Sequence, residues 1–339
     1  MQLNEIWFVI VGFLFIGYFV LDGFDFGVGM ALPFLGKDDT DRRVLINTIG
    51  PVWDLNETWV VVAGASLFAA FPEWYASLFS GFYLPLLLIL TALILRGVAF
   101  EYRGKGHTIG ADEKKWKFRF DWMIVIGSAL PALLWGVAFA NIVQGVPLNK
   151  NHVFTGNLFT LLNPYGLLGG LVTLTLFFTH GLVFITLKTD GEIKMRARVL
   201  ATRVGALTTV LASVFLIWTL SAHFSVFGFY LTVLAALSLV AALFANHFGR
   251  EGISFSLLVL TIITAVGSLF AGLFPNVLPS TTDPAFSLTI ENSSSSQYTL
   301  NVMSWVAVVM IPLVLLYQGW TYWVFRQRVS RNSIPAGSH

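Results

Sequence analysis

The sequence has no cysteine, which excludes disulfide staples, iron–sulfur clusters and thiolate metal sites together. Charge is nearly as scarce. Only 11% of the 339 residues are Asp, Glu, Lys or Arg, against about 25% in an ordinary soluble domain. With so little charge, 56% apolar residues and a mean hydropathy of +0.76, the solvent for most of the chain is lipid. The net charge of +2 is too small to attract nucleic acid. Residues 1–6 carry Glu5 and no Lys or Arg, so the basic head of a signal peptide is lacking and the first apolar segment is expected to remain as a span.

What is abundant is the long apolar run. A hydrocarbon core of about 30 Å needs roughly 20 helical residues. Runs of that length predict helices over 6–35, 49–70, 76–101, 119–144, 161–187, 199–222, 225–246, 253–274 and 300–325. The runs are continuous rather than alternating, which excludes a β-barrel. The expectation is an all-α integral membrane protein of about nine transmembrane helices, one polytopic domain over residues 1–332 followed by a disordered tail over 333–339. Lys and Arg accumulate in cytoplasmic connections. All of the 20 basic residues except Arg96 and Lys150 fall in alternate connections, which places the N-terminus outside and the C-terminus in the cytoplasm. Gly81-Phe-Tyr-Leu and Gly228-Phe-Tyr-Leu, four spans apart, mark a candidate pseudo-repeat of helices 1–4 and 5–8. That would give two four-helix bundles plus one additional helix. Gly27, Gly29, Gly169 and Gly170 are expected at close helix crossings.

An ionisable side chain inside a span costs about 3 kcal/mol on insertion scales and so needs a partner or a purpose. The first helix carries Asp22 and Asp25, the second Asp54 and Glu57, and the third Arg96, with Glu101 just beyond. Each acid pair is spaced i, i+3 and so shares a helix face. The alternating direction of the helices brings all of them to the cytoplasmic half of the membrane. Carboxylates that outnumber their arginine in a dry interior cannot all ionise, which is the behaviour of a proton relay. Helix-end acids that cap or snorkel to the headgroups are the other reading of the same residues. His180 is the one histidine well inside a span, where a hydrogen bond to a neighbouring helix is the ordinary role. His107 and His152 fall in connections, His223 and His247 at helix ends, and His339 in the tail. Two facing histidines for a bis-histidine haem are therefore absent, and no metal site is expected. Trp59, two residues beyond Glu57, reads either as packing or as part of an apolar path across its helix.

Several stretches resemble the second, haem-free subunit of the cytochrome bd-type quinol oxidases. They are Asp22-Gly-Phe-Asp-Phe-Gly-Val-Gly-Met, Phe34-Leu-Gly, Arg42-Arg43, Asn47, the run PVWDLNETW from Pro51 to Trp59, Ala63-Gly64 and Leu67-Phe-Ala-Ala. Further on come Phe79-Ser-Gly-Phe-Tyr, Arg96 to Tyr102, NIVQGVP from Asn141 to Pro147, Thr155-Gly-Asn, Leu162-Asn-Pro and the run from Leu300 to Val309. The likeness spans most of the chain. It departs in the short connection between the sixth and seventh helices, where some members carry a long insertion.

The resemblance implies a bacterial inner-membrane complex in which a subunit I partner holds haem b and haem d, oxidises quinol and reduces oxygen to water. The chain would pair with that partner as a pseudo-symmetric heterodimer, with small single-helix accessory subunits and membrane lipid around it. By the same resemblance Asp54 and Arg96 lie near the partner's haem propionates, Asp25 is a further intramembrane acid, and Trp59 is associated with oxygen access. Glu57 stands where other members carry an amide. A proton-coupled transporter is the alternative from another class, since buried acids and a repeat are transporter features as well. A third reading makes the chain a structural partner whose acids merely pair.

Overall fold

The computed structural model describes residues 2–334, and of residues 107–109 the backbone only. The side chain of His107, and His339 with all of the tail beyond Ile334, lie outside the described residues. The long helices are α1 (Leu3–Leu35), α3 (Trp53–Ala70), α5 (Tyr83–Tyr102), α6 (Glu113–Gln144), α8 (Pro164–Lys188), α9 (Gly191–Ala222), α10 (Val226–His247), α11 (Glu251–Leu273) and α12 (Gln297–Val324). Short helices α2 (Asp39–Ile49), α4 (Pro72–Gly81) and α7 (Leu158–Leu161) join them. Eight of the long helices are apolar enough over 18 residues to cross a membrane. The exception is α3, only 18 residues long, whose first turns hold Asp54, Asn56 and Glu57.

The expected helix over 76–101 is in fact two, α4 and α5, broken at Phe82 (φ −100°, ψ 20°). The reason is Pro85: its ring opposes the carbonyl of Gly81 four residues back and offers no N–H. Two helices begin well before their apolar runs. Thus α6 starts at Glu113, where Asp112 accepts from the N–H groups of Lys114 and Lys115, and α9 starts at Gly191. Hydropathy marks where a helix is lipid-soluble, and a cap marks where it begins. Residues 275–300 fold around a small antiparallel pair, β1 (Asn276–Leu278) with β2 (Leu288–Thr289), beside which Ser293 is fully buried. This segment bridges Val146 to Ser280 and receives His152 against the Phe286 carbonyl at 2.9 Å, so it closes the end of the bundle opposite the basic residues.

At the crossing of α1 and α8 a Cβ on Gly27 would stand 2.1 Å from the Phe177 carbonyl oxygen and 2.6 Å from the Gly181 Cα. Lipid is as apolar as leucine, so helices in a membrane associate through such close backbone packing rather than by hiding apolar surface. Gly29 and Gly169 likewise abut Ser128 and Ala140, and Gly170 abuts Val137, as expected. Around this seam α1 packs on α3 and α6 and α5 on α6, α8 packs on α9 and α11 and α10 on α11, and α6 packs on α8 across the middle.

The basic residues converge at one end, where carboxylates meet them. Asp121 accepts from Arg42 at 2.8 Å and Arg103 at 2.6 Å, Asp39 from Arg103 at 2.8 Å and Lys117 at 3.0 Å, and Asp41 from Arg196 at 2.8 Å and Arg331 at 2.5 Å. Asp38 takes the Asp41 backbone N–H and then Arg331, which together hold its carboxyl below the usual range. The pH sign follows: the tether contributes above the ordinary carboxylate value and is lost on acidification through the lowered one. Ser330 and Arg331 to Ser333 are thereby ordered, the latter as a 3-10 turn.

The seam gives a direct test. Gly27→Val is expected to cost at least about 1–3 kcal/mol by overpacking. A lower melting temperature and reduced yield of the purified protein would show it, whereas a wild-type melt would mean that α1 and α8 can separate without penalty.

Candidate functional site

The site sits where α1, α3, α5 and α12 meet towards the basic end. Asp22, Asp25 and Arg96 each have 0% exposure. Arg96 donates from both Nη1 and Nη2 to one oxygen of Asp22, each at 3.0 Å. The rings of Phe26 and Phe100 lie 4.7 Å and 5.5 Å from the guanidinium carbon, so the cation is enclosed by its counter-ion and two π faces. Asp22 Oδ2 and Arg96 Nε have no hydrogen-bond partner among the described residues. The i, i+3 pair on α1 therefore shares a face but not a partner. One turn further on, Asp25 Oδ2 accepts from Asn56 Nδ2 at 2.7 Å.

Asn56 is the hub of the remaining polar contacts. Its Oδ1 accepts from Gln318 Nε2 and from the Tyr322 hydroxyl, both at 2.8 Å. Gln318 Oε1 in turn accepts from Trp59 Nε1 at 3.4 Å. The Trp59 indole lies so close to α1 that a Cβ on Gly17 would stand 2.2 Å from it, and Phe13 packs on it edge to face. Asn56, Gln318 and Tyr322 were not singled out in the sequence. The signal was there for two of them: Gln318 and Tyr322 are spaced i, i+4, and so lie on one face of an otherwise apolar α12.

The residues read from the sequence separate into two groups. Asp22, Asp25, Arg96 and Trp59 are brought together and buried. Glu57 is half-buried, while Asp54 and Glu101 are exposed on the surface of the chain. The spacing of Asp54 and Glu57 placed them on one face, but Asp54 looks outward because the inward face of α3 carries Asn56 and Trp59, whereas half-buried Glu57 stays within electrostatic reach of Asp22 and Arg96. Direct contact of Arg96 with a group on another subunit does not fit its complete enclosure and its pairing with Asp22. Of the two residues expected near the partner's propionates, Asp54 is the accessible one.

His180 is held between helices, with Nε2 3.1 Å from the Val20 carbonyl and its ring stacked on Phe255 at 4.8 Å and 10°. Nε2 is thus engaged by backbone, whereas Nδ1 is buried with no hydrogen-bond partner among the described residues. Among the described residues no group of three His, Asp or Glu side chains is placed to hold a metal ion.

The architecture and this site define a class: a multi-pass membrane protein with a buried carboxylate–arginine centre near one end of its bundle. The particular family follows from comparison. Residues 3–325 match the model of the cytochrome bd terminal oxidase subunit II family, and the chain belongs to it. It is 42% identical to cytochrome bd ubiquinol oxidase subunit 2 of Bacillus subtilis, with 97% of each chain covered. To cytochrome bd-I ubiquinol oxidase subunit 2 of Escherichia coli it is 39% identical, covering 99% of this chain and 98% of the relative. Its fold superimposes on the bd oxidase structure from Geobacillus thermodenitrificans with a TM-score of 0.76 at 18% identity, covering 96% and 99% of the two chains. The chain is thus a subunit of an oxidoreductase complex, and membership implies a subunit I partner that carries the haems.

The buried pair predicts a specific mutational pattern. Asp22→Asn or Arg96→Gln alone takes from a buried ion its hydrogen-bonded partner and is expected to cost about 3–5 kcal/mol. The double change Asp22→Asn with Arg96→Met should recover much of that loss, read as melting temperature of the assembled complex. Equal damage from the double and single changes would deny that the two side chains act as a pair.

Proposed function

We propose that this chain is the haem-free subunit of a quinol-oxidising, oxygen-reducing complex in the bacterial cytoplasmic membrane, and that it helps deliver cytoplasmic protons to the partner's haems. The observation that carries the proposal is the enclosed trio of Asp22, Asp25 and Arg96. Fully ionised, two carboxylates and one guanidinium leave one negative charge in a dry interior, and a single proton neutralises the set. Such a centre holds a proton and gives it up without creating a second charge. Half-buried Glu57 and outward-facing Asp54 adjoin the trio on α3, where a proton leaving the trio would pass to the neighbouring subunit.

In this reading nine helices span the membrane, α3 being the ninth. The basic end faces the cytoplasm, in keeping with the concentration of Lys and Arg there. Residues 1–332 form one domain, and the matching pairings of α1, α3, α5, α6 and of α8 to α11 support two four-helix bundles with α12 added. Quinol is the substrate of the complex, haem b and haem d belong to the partner, and a small single-helix subunit and lipid cover apolar surface that the partner leaves. Trp59 closes α1 against α3 beside the trio, and its ring is the candidate lining of an oxygen path. The transporter alternative is set aside by family membership.

The test uses the complex purified with its co-expressed partner. Asp25→Asn and Asp54→Asn are expected to preserve the reduced-minus-oxidised haem spectrum while slowing oxygen consumption, for Asp25→Asn by about 10²-fold, the scale of a lost proton-transfer group. Full turnover in both variants would leave the chain a scaffold.

A further inference from the structure

The cavities of the chain differ in chemistry. An apolar one of about 990 Å³ between α6, α8, α9, α10 and α11 is lined by no titratable side chain. Another, of about 1520 Å³, lies at the basic end between the last turns of α8 and α12 and the residues joining α2 to α3. Its wall combines Asn47, Val52, Lys188, Phe255, Tyr322 and Gln327. Lys188 Nζ donates to the carbonyls of Phe325 and Gln327, and Val329 pairs with Thr189, so the segment after α12 is fixed along one side of the cavity.

Tyr322 belongs to this wall and to the buried network alike. It is half-buried, and its hydroxyl donates to Asn56 Oδ1 at 2.8 Å. Asn56 Nδ2 is 2.7 Å from Asp25 Oδ2. One residue therefore separates the cavity wall from the carboxylate. The other carboxylate oxygen, Asp25 Oδ1, is buried and has no partner among the described residues, so it is the open acceptor at the inner end. Gln318, one turn before Tyr322 on α12, donates to the same Asn56 Oδ1 at 2.8 Å, so the two side chains together hold the amide against Asp25.

We propose that this cavity is the vestibule through which cytoplasmic water reaches Asp25, and that Tyr322 is the positioning residue that closes its inner end by clamping Asn56. The proposal rests on the proton-delivery reading above. A proton passes from a vestibule water to the Asp25 carboxylate: a water O–H bond breaks and the carboxyl O–H forms. The hydroxide left behind is neutralised by exchange with the cytoplasm. The amide of Asn56 and the O–H bond of Tyr322 stay intact, since an amide is a poor carrier and the phenol acts by the hydrogen bond it gives to Asn56.

The chain has no cysteine of its own, so a single introduced thiol reports on the cavity alone. Gln327→Cys, in the complex with its partner, is treated with the impermeant reagent 2-(trimethylammonium)ethyl methanethiosulfonate. Labelling from the cytoplasmic side, in inside-out vesicles, is expected to slow proton uptake after oxygen addition by at least about tenfold, short of the 10²–10⁴-fold range of an abolished transfer. Anaerobic reduction of the haems by quinol should be unchanged, which a general loss of structure would not allow. The complex without the introduced cysteine, treated alike, should show no slowing. Tyr322→Phe, which keeps the ring and loses the clamp, should slow proton uptake with an unaltered haem spectrum. Complete labelling with unchanged uptake would overturn the vestibule, and unchanged uptake in Tyr322→Phe would overturn the clamp. If Asp25→Asn itself turns over normally, the relay has failed. If Asp25→Asn is slow while the labelled Gln327→Cys complex is not, the vestibule alone has failed.

Discussion

A guanidinium sealed inside a helix bundle has no water to fall back on, and the arrangement around Arg96 follows from that constraint. The ion needs a carboxylate at bonding distance, which fixes α5 against α1 at Asp22. It also needs a wall of polarizable rings, which Phe26 and Phe100 supply. With Asp22 committed, Asp25 must find a neutral donor. Asn56 fills that role and draws α3 to the same point. The amide then has an oxygen to satisfy, and Gln318 and Tyr322 bring in α12. Four helices are located by one buried charge and the successive hydrogen-bonding demands it creates.

Much of this organisation was written in the apolar pattern. The long runs gave the spans, and the glycines of α1 and α8 marked the seam where backbones touch. The misreadings share a cause: hydropathy measures solubility in lipid, not backbone geometry. It is blind to Pro85 dividing one run into α4 and α5, and to α6 and α9 continuing beyond the hydrocarbon. It also missed the β1–β2 pair, which is held by backbone bonds and by small polar side chains such as Ser293.

The site was legible where charge was the signal and hidden where neutrality was. Asp22, Asp25 and Arg96 stand out because ions are rare inside a membrane. Asn56, Gln318 and Tyr322 organise them and carry no formal charge, so nothing in composition raised them above other polar residues. Rotation decided the rest. At 100° per residue Asn56 points inward while Asp54, two positions earlier, points out, although the sequence presents them as one cluster.

The way α12 is attached has a bearing on how the bundle comes together. Gln318 and Tyr322 fasten it at one end and Trp7, through Ser304, at the other, while most of its length is bare. Membrane hydrogen bonds of this kind contribute on the order of 1 kcal/mol each. These clasps, with the Lys188 and Arg331 contacts of the segment that follows, pin α12 at its two ends and leave its outer flank as bare apolar surface for a neighbour in the membrane to cover.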